Sequence, residues 1–260
     1  MFRRSLGKLA MVAGLALLTI GPVLAQGDAR DSFNGAHWAR TTSTLNLDLG
    51  SELSNGWDRY LKRADNEWSE SDAVNLRVVG SAGGCGMTRG RVEVCNGQYR
   101  NDNWLGLTIA DIDGNRHIYR ALVLMNDYYF DQPRYDKTDA KRHTMCQEVG
   151  HSLGLDHRYS KTCMNDREIF GAAYDAPSSA DYKELADLYR HRDRDSTVSR
   201  AGVESTARSE PAEPVDAALV EDAVAKAKAA RDGKGEATVV EDLGGGRSRI
   251  IHVTFVEEGS

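Results

Sequence analysis

The residues best suited to metal chemistry in this 260-residue chain are concentrated between positions 146 and 165. Gln147 and His151 are four positions apart, so on a helix they lie on one face, about one turn from each other. Glu148 lies about 100° further around the helix, where it could reach a water on a metal without being a ligand. The spacing therefore predicts a helix that carries two ligands and one acid–base group.

The turn after this helix is predicted to add a third ligand. Gly154 can end the helix in a left-handed conformation, which turns the chain back and brings His157 toward the same centre. The predicted ligands are Gln147, His151 and His157. Three protein ligands with one open position are typical of a catalytic Zn²⁺ site, so zinc is the predicted cofactor.

The positions of Glu148, His151, Gly154, His157 and Met164 together resemble those of the metzincin zinc metallopeptidases of the matrixin-like type. The family pattern is H-E-x-x-H-x-x-G-x-x-H, followed by a turn that contains methionine. The resemblance implies that Glu148 is the general base of an endopeptidase, and that Met164 lies beneath the zinc as the Met-turn. The expected partner is a peptide or protein substrate, whose bonds a zinc-activated water would hydrolyse.

Gln147 departs from this pattern because it stands where the family has its first histidine. Its neutral amide is a weaker zinc ligand than imidazole, so zinc could also be held by two histidines and waters. The alternative is a catalytically silent module that binds peptides without cutting them. His143 is about 12 Å along the helix from His151, too far to replace Gln147 as a ligand, and Cys146 points away from the ligand face.

Residues 1–25 have the pattern of a cleavable signal peptide. Arg3, Arg4 and Lys8 precede an apolar run over residues 9–24, which ends in small residues before a mature start near Gln26. We therefore expect a secreted or periplasmic protein with no stable membrane insertion after signal cleavage. The mature chain would carry 30 basic against 39 acidic side chains, a net charge of −9, which gives no indication of a nucleic-acid partner.

Four cysteines in an exported chain predict two disulfides. Cys85 and Cys95 bracket a short glycine-containing segment, and Cys146 and Cys163 would join the metal helix to the Met-turn. A four-cysteine zinc site is the alternative, but neither pair has C-x-x-C spacing.

The expected fold class is α+β, a metzincin-like catalytic domain with a twisted mixed sheet, a zinc-site helix, a Met-turn and a C-terminal helix. Apolar alternation and helical periodicity predict the individual elements. The predicted strands span residues 45–49, 75–79, 91–94, 104–110 and 117–125, and the predicted helices span 57–68, 137–153 and 178–189. Residues 111–115 are interpreted as a hairpin turn rather than a calcium loop. The resemblance implies that the strand ending at Met125 is an edge strand that pairs with substrate.

Composition changes after residue 192 and divides the chain. We expect a polar lead-in over 26–43, a metallopeptidase domain over 44–192, a flexible linker over 193–214 and a C-terminal extension over 215–260. The extension is predicted to form a helix over 217–230 and a β-hairpin. Its purpose, the substrate specificity and the oligomeric state have no signal in the sequence.

Overall fold

The computed structural model describes residues 32–82, 84–167, 170–199, 213–214, 216–231, 233 and 235–256. The predicted signal peptide, the start of the lead-in and most of the predicted linker lie outside these residues. The described chain has the α+β class, with a mixed sheet and few helices. Among its helices, none is long and apolar enough to cross a membrane.

The elements follow one another in an order that places most strands before the main helices. The strands are β1 (His37–Trp38), β2 (Leu45–Glu52), β3 (Val74–Gly80), β4 (Gly86–Met87), β5 (Val92–Gly97), β6 (Trp104–Ile112), β7 (His117–Asn126), β8 (Glu213–Pro214), β9 (Glu236–Gly244) and β10 (Arg247–Phe255). The helices are α1 (Asp58–Trp68), α2 (Asp127–Phe130), α3 (Thr138–Ser152), α4 (Ser179–Leu188) and α5 (Ala217–Ala230).

The main sheet has the order β3-β2-β5-β7-β6-β10-β9, with β1 paired to β7, and it carries a hydrophobic core on each face. Helices α1, α3 and α4 cover one face and α5 covers the other. Every residue of β6 is buried, as expected for a strand with a core on both sides. The predicted tryptophan stripe is confirmed as core, because Trp57 and Trp68 are buried and the indole of Trp68 donates to the Cys146 carbonyl at 3.0 Å.

The segment expected to be a loose lead-in is instead packed into the domain from residue 32 onward. Phe33, Ala36 and Trp38 are buried, and β1 pairs in parallel with β7. The Trp38 indole donates to the Ser152 carbonyl at 2.9 Å, at the end of the metal helix. A few apolar residues within a polar stretch therefore suffice to anchor it, which average composition does not reveal.

The prediction that the strand ending at Met125 is an edge strand is wrong. This strand, β7, lies between β5 and β6. On the other side of β6, strand β10 pairs with it from Ser248 opposite Ile112 to Phe255 opposite Trp104. The outer edge of the sheet is β9.

The C-terminal hairpin is thus part of the main sheet and not a separate flexible unit. A hairpin is marginal alone in water, and pairing with β6 also satisfies the backbone of a strand buried on both faces. The buried carboxylate of Asp111 ties the two together, because it lies 2.6 Å from the Arg249 guanidinium and 2.8 Å from that of Arg120. The helix and the hairpin themselves form where they were predicted.

The turn and the cysteine pairs also agree with the sequence. Asp113 accepts the backbone N–H groups of Asn115 and His117 in a tight hairpin turn. The structure contains the disulfides Cys85–Cys95 and Cys146–Cys163. The second of these joins α3 to the segment that contains Met164.

Candidate metal centre

Helix α3 and the turn behind it bring the predicted residues together. Gln147, Glu148 and His151 are fully buried on α3, which ends at Ser152. Gly154 then adopts a φ of 95°, and a Cβ there would lie 2.1 Å from the Ala36 carbonyl oxygen. Only glycine avoids both problems, and the resulting turn returns the chain so that the imidazole of His157 lies beside that of His151, with ring centroids 4.7 Å apart.

A third histidine, absent from the sequence prediction, completes the group. His252 lies on β10, and its ring centroid is 3.8 Å from that of His151 and 4.7 Å from that of His157. One ring nitrogen from each of the three lies within 4.8 Å of the other two. We call these three residues the metal centre. His252 belongs to no motif, so its position in an alternating strand gave no signal of this role.

The ring nitrogens of the metal centre are oriented from outside. His151 Nδ1 lies 2.9 Å from the Leu155 carbonyl and His252 Nδ1 lies 3.3 Å from Glu148 Oε2. On both rings the buried Nε2 has no hydrogen-bond partner among the described residues. Histidine ligands of metals commonly have this arrangement, in which one nitrogen donates to a carbonyl or carboxylate and leaves the other free to bind.

The charge state of the centre also suits a cation. Burial lowers the pKa of His151 well below its ordinary value, and His252 and His157 lower it further, so this imidazole is neutral as a ligand must be. Burial alone would lower the pKa of His157, but the carboxylate of Glu236 raises it, with His157 Nε2 and Glu236 Oε2 2.6 Å apart. Burial alone would raise the pKa of Glu236, and His157 holds it below its ordinary value. Glu236 therefore balances one positive charge at this place.

These observations fit a zinc ion held by three imidazoles. Nitrogen donors suit zinc, and three protein ligands leave a position open. Two of the three rings present an unpartnered buried nitrogen, which costs free energy unless something binds there. On this chemistry the residues of the metal centre that would hold the ion are His151, His157 and His252.

Gln147, the predicted third ligand, has other partners in the structure. Its Nε2 donates to the Asn165 carbonyl at 3.0 Å and to Glu236 Oε1 at 2.8 Å. Its Oε1 lies 3.0 Å from the Thr254 hydroxyl, which is its donor. The amide therefore joins α3 to the loop after His157 and to both strands of the hairpin, and His252 takes the place predicted for it beside the other two histidines.

Gln147→His is accordingly expected to leave zinc affinity unchanged or weaker, although it restores the family pattern. The imidazole cannot reproduce three amide contacts, and unsatisfied buried groups cost about 1–3 kcal/mol. Zinc titration and thermal melting of this variant and wild type would measure both effects. A clear gain in zinc affinity would show instead that position 147 faces the metal.

Glu148, the predicted general base, is enclosed. Its carboxylate accepts from the hydroxyls of Thr108 at 2.6 Å and Thr254 at 2.7 Å, besides its contact with His252. Gly106 on β6 allows this approach, since a Cβ there would lie 2.5 Å from Glu148 Oε1. The contacts of Glu148 are those of a group that orients His252.

A cavity of about 340 Å³ reaches the metal centre from the side of His157 and Glu236. Its other lining residues are Asp156, Asp166, Ala230, Ala237 and Thr238. Glu148 is not among them. A molecule in this cavity would meet an imidazole of the metal centre and three carboxylates.

Met164 is fully buried against α3, where a Cβ on Gly150 would collide with its sulfur and with Trp68. The methionine and the Cys146–Cys163 disulfide therefore hold the segment after His157 against the metal helix. This is the packing role predicted for Met164.

Comparison with known proteins gives structural neighbours only. No protein-family model matches the chain, and no characterised protein sequence is significantly similar to it. One solved structure that aligns with it is high choriolytic enzyme 1, a hatching enzyme zinc-protease from Oryzias latipes (medaka fish). It has 11% identity and a TM-score of 0.37, over 62% of this chain and 97% of that chain. Another is myroilysin, with 12% identity and a TM-score of 0.33, over 59% of this chain and 82% of that chain.

Proposed function

We propose that this protein is an exported zinc-dependent endopeptidase whose zinc is held by His151, His157 and His252. The observation that carries the proposal is the convergence of three imidazoles within 4.8 Å, two of them with an unpartnered buried nitrogen. The spacing of residues 147–164 supports a peptide substrate through its resemblance to metallopeptidases. The two disulfides support export.

Bound there, zinc would act as a Lewis acid toward a carbonyl oxygen and lower the pKa of a water. Glu236 lines the cavity and has its Oε2 directed at His157, so it is placed to take a proton from a water and return it to the leaving amine. Glu148 holds His252 by its Nδ1 and fixes which ring nitrogen is free. The general-base role that the sequence predicts for Glu148 is thereby assigned to Glu236.

The cavity favours a positively charged part of the substrate. Asp156, Asp166 and Glu236 line it, and none of its lining residues is basic other than His157. A lysine or arginine side chain beside the cleaved bond would find opposite charge there.

The proposal is tested with the mature chain and an unstructured protein substrate. Zinc-loaded protein is expected to cut the substrate, chelation to stop cleavage, and added zinc to restore it. A His151→Ala, His157→Ala double variant should have neither zinc in the metal centre nor activity. Absence of zinc binding at micromolar metal would overturn the proposal.

A catalytically silent zinc protein is the second candidate, and the enclosure of the site favours it. Glu148, His151 and His252 have no exposed surface, and β10 occupies the side of β6 where an extended peptide could otherwise pair. Full zinc occupancy without hydrolysis of any peptide in a mixed library would establish this candidate.

A further inference from the structure

Four further metal-ligating side chains meet at the opposite end of the chain's chemistry, outside the metal centre. His37 lies on β1, His117 is the first residue of β7, and His191 and Asp193 follow α4. We call these four residues the second cluster. No residue of it belongs to the motif around α3.

The distances between the four side chains match those around a tetrahedral ion. Asp193 Oδ1 lies 3.6 Å from His37 Nε2, 3.4 Å from His117 Nε2 and 3.2 Å from His191 Nε2. His37 Nε2 and His191 Nε2 are 3.1 Å apart. Ligand atoms bonded to zinc at about 2.0–2.1 Å in a tetrahedron are separated by about 3.3–3.4 Å. The four measured separations scatter around that value.

The groups behind the ligand atoms hold them in place. His37 Nδ1 lies 2.8 Å from the Gly35 carbonyl, so Nδ1 carries the proton and Nε2 presents its lone pair inward. Asp193 Oδ2 accepts the Arg40 backbone N–H at 2.9 Å, which leaves Oδ1 for the cluster. The side chains of His37 and Asp193 are each 8% exposed. The cluster is therefore built into the domain rather than formed by surface side chains.

We propose that the second cluster binds a second zinc ion, by His37, His117, His191 and Asp193. Four protein ligands leave no position open, which is typical of a structural rather than a catalytic site. The site would join the N-terminal segment, the β6–β7 hairpin and the segment after α4, which are far apart in the sequence. It also stands independently of the metal centre and of any peptidase activity.

The test counts metal in the full-length mature protein by elemental analysis. Wild type is expected to hold two zinc ions per chain, and Asp193→Asn and His117→Ala one each. Asp195→Asn is the matched control, because Asp195 is an exposed carboxylate two residues away and should leave both ions in place. One zinc per chain in wild type, unaffected by His117→Ala, would overturn the proposal.

A spectroscopic measurement avoids dependence on the folding of the cluster variants. In the His252→Ala variant, whose metal centre is disabled, added Co²⁺ is expected to bind at one site with the visible absorption of tetrahedral nitrogen–oxygen coordination. Binding should also raise the melting temperature, since the ion binds only the folded chain. If this variant binds no Co²⁺, the second cluster is an ion-pair network between Asp193 and protonated imidazoles, and the proposal fails.

Discussion

Replacing Glu236 by glutamine is expected to lower peptide hydrolysis by about 10²–10⁴-fold while zinc remains bound, which is the usual contribution of a general base. The amide keeps the size of the side chain and can still contact His157 and Gln147, but it cannot accept and return a proton. Glu236 lines the cavity beside His157, so its loss acts where substrate and water would meet. Rates measured on variants matched for zinc content would isolate this effect.

Glu148→Gln is the comparison that gives this result its meaning. Its carboxylate is buried and orients His252, so the expected effect is a zinc affinity weaker by about 10–100-fold, with near-normal turnover once zinc is saturating. Asp166→Asn is the control within the cavity, because it removes a lining charge that no described contact joins to the three histidines. If Glu148→Gln abolishes turnover at full zinc occupancy and Glu236→Gln does not, Glu148 is the base, as its spacing on the helix predicts.

His252→Ala is expected to weaken zinc binding in the metal centre by more than about 100-fold, beyond the effect of losing an outer hydrogen-bond partner of a ligand. The variant removes one of three imidazoles and leaves Glu148 without its ring partner. Peptidase activity should disappear with the metal. Competition with a chromogenic chelator would measure the affinity.

His143→Ala is the matched control for that experiment. His143 is also a fully buried histidine, and its Nδ1 lies 2.7 Å from the Tyr174 carbonyl, but it belongs to neither histidine group. Its truncation should lower stability by about 1–3 kcal/mol through the lost hydrogen bond and leave the zinc count unchanged. Equal zinc loss in both variants would mean that His252 acts through folding alone and would remove it from the ligand set.

Local patterns in the sequence predicted much of the fold. Helical periodicity predicted α1, α3 and α5, and apolar alternation predicted β2, β3, β5, β6 and β7, because each signal depends on neighbours within a few residues. The relation of His151 to Gly154 and His157 is local in the same way, since one helix and one turn determine it. The two disulfides were accessible because four cysteines in an exported chain permit few pairings.

The completed sites were decided by tertiary structure. His252 meets His151 and His157 only because β10 adds to the edge of β6, in a register that pairs it with Thr108. On β10, Ile250 contributes to the core on the α3 side, while Ile251 and Val253 contribute to the core under α5. A slip of one residue would therefore turn His252 away from the zinc ligands, and no local pattern specifies that register. The same holds for His37, His117, His191 and Asp193, which only the packing of three distant segments brings within bonding distance of one ion.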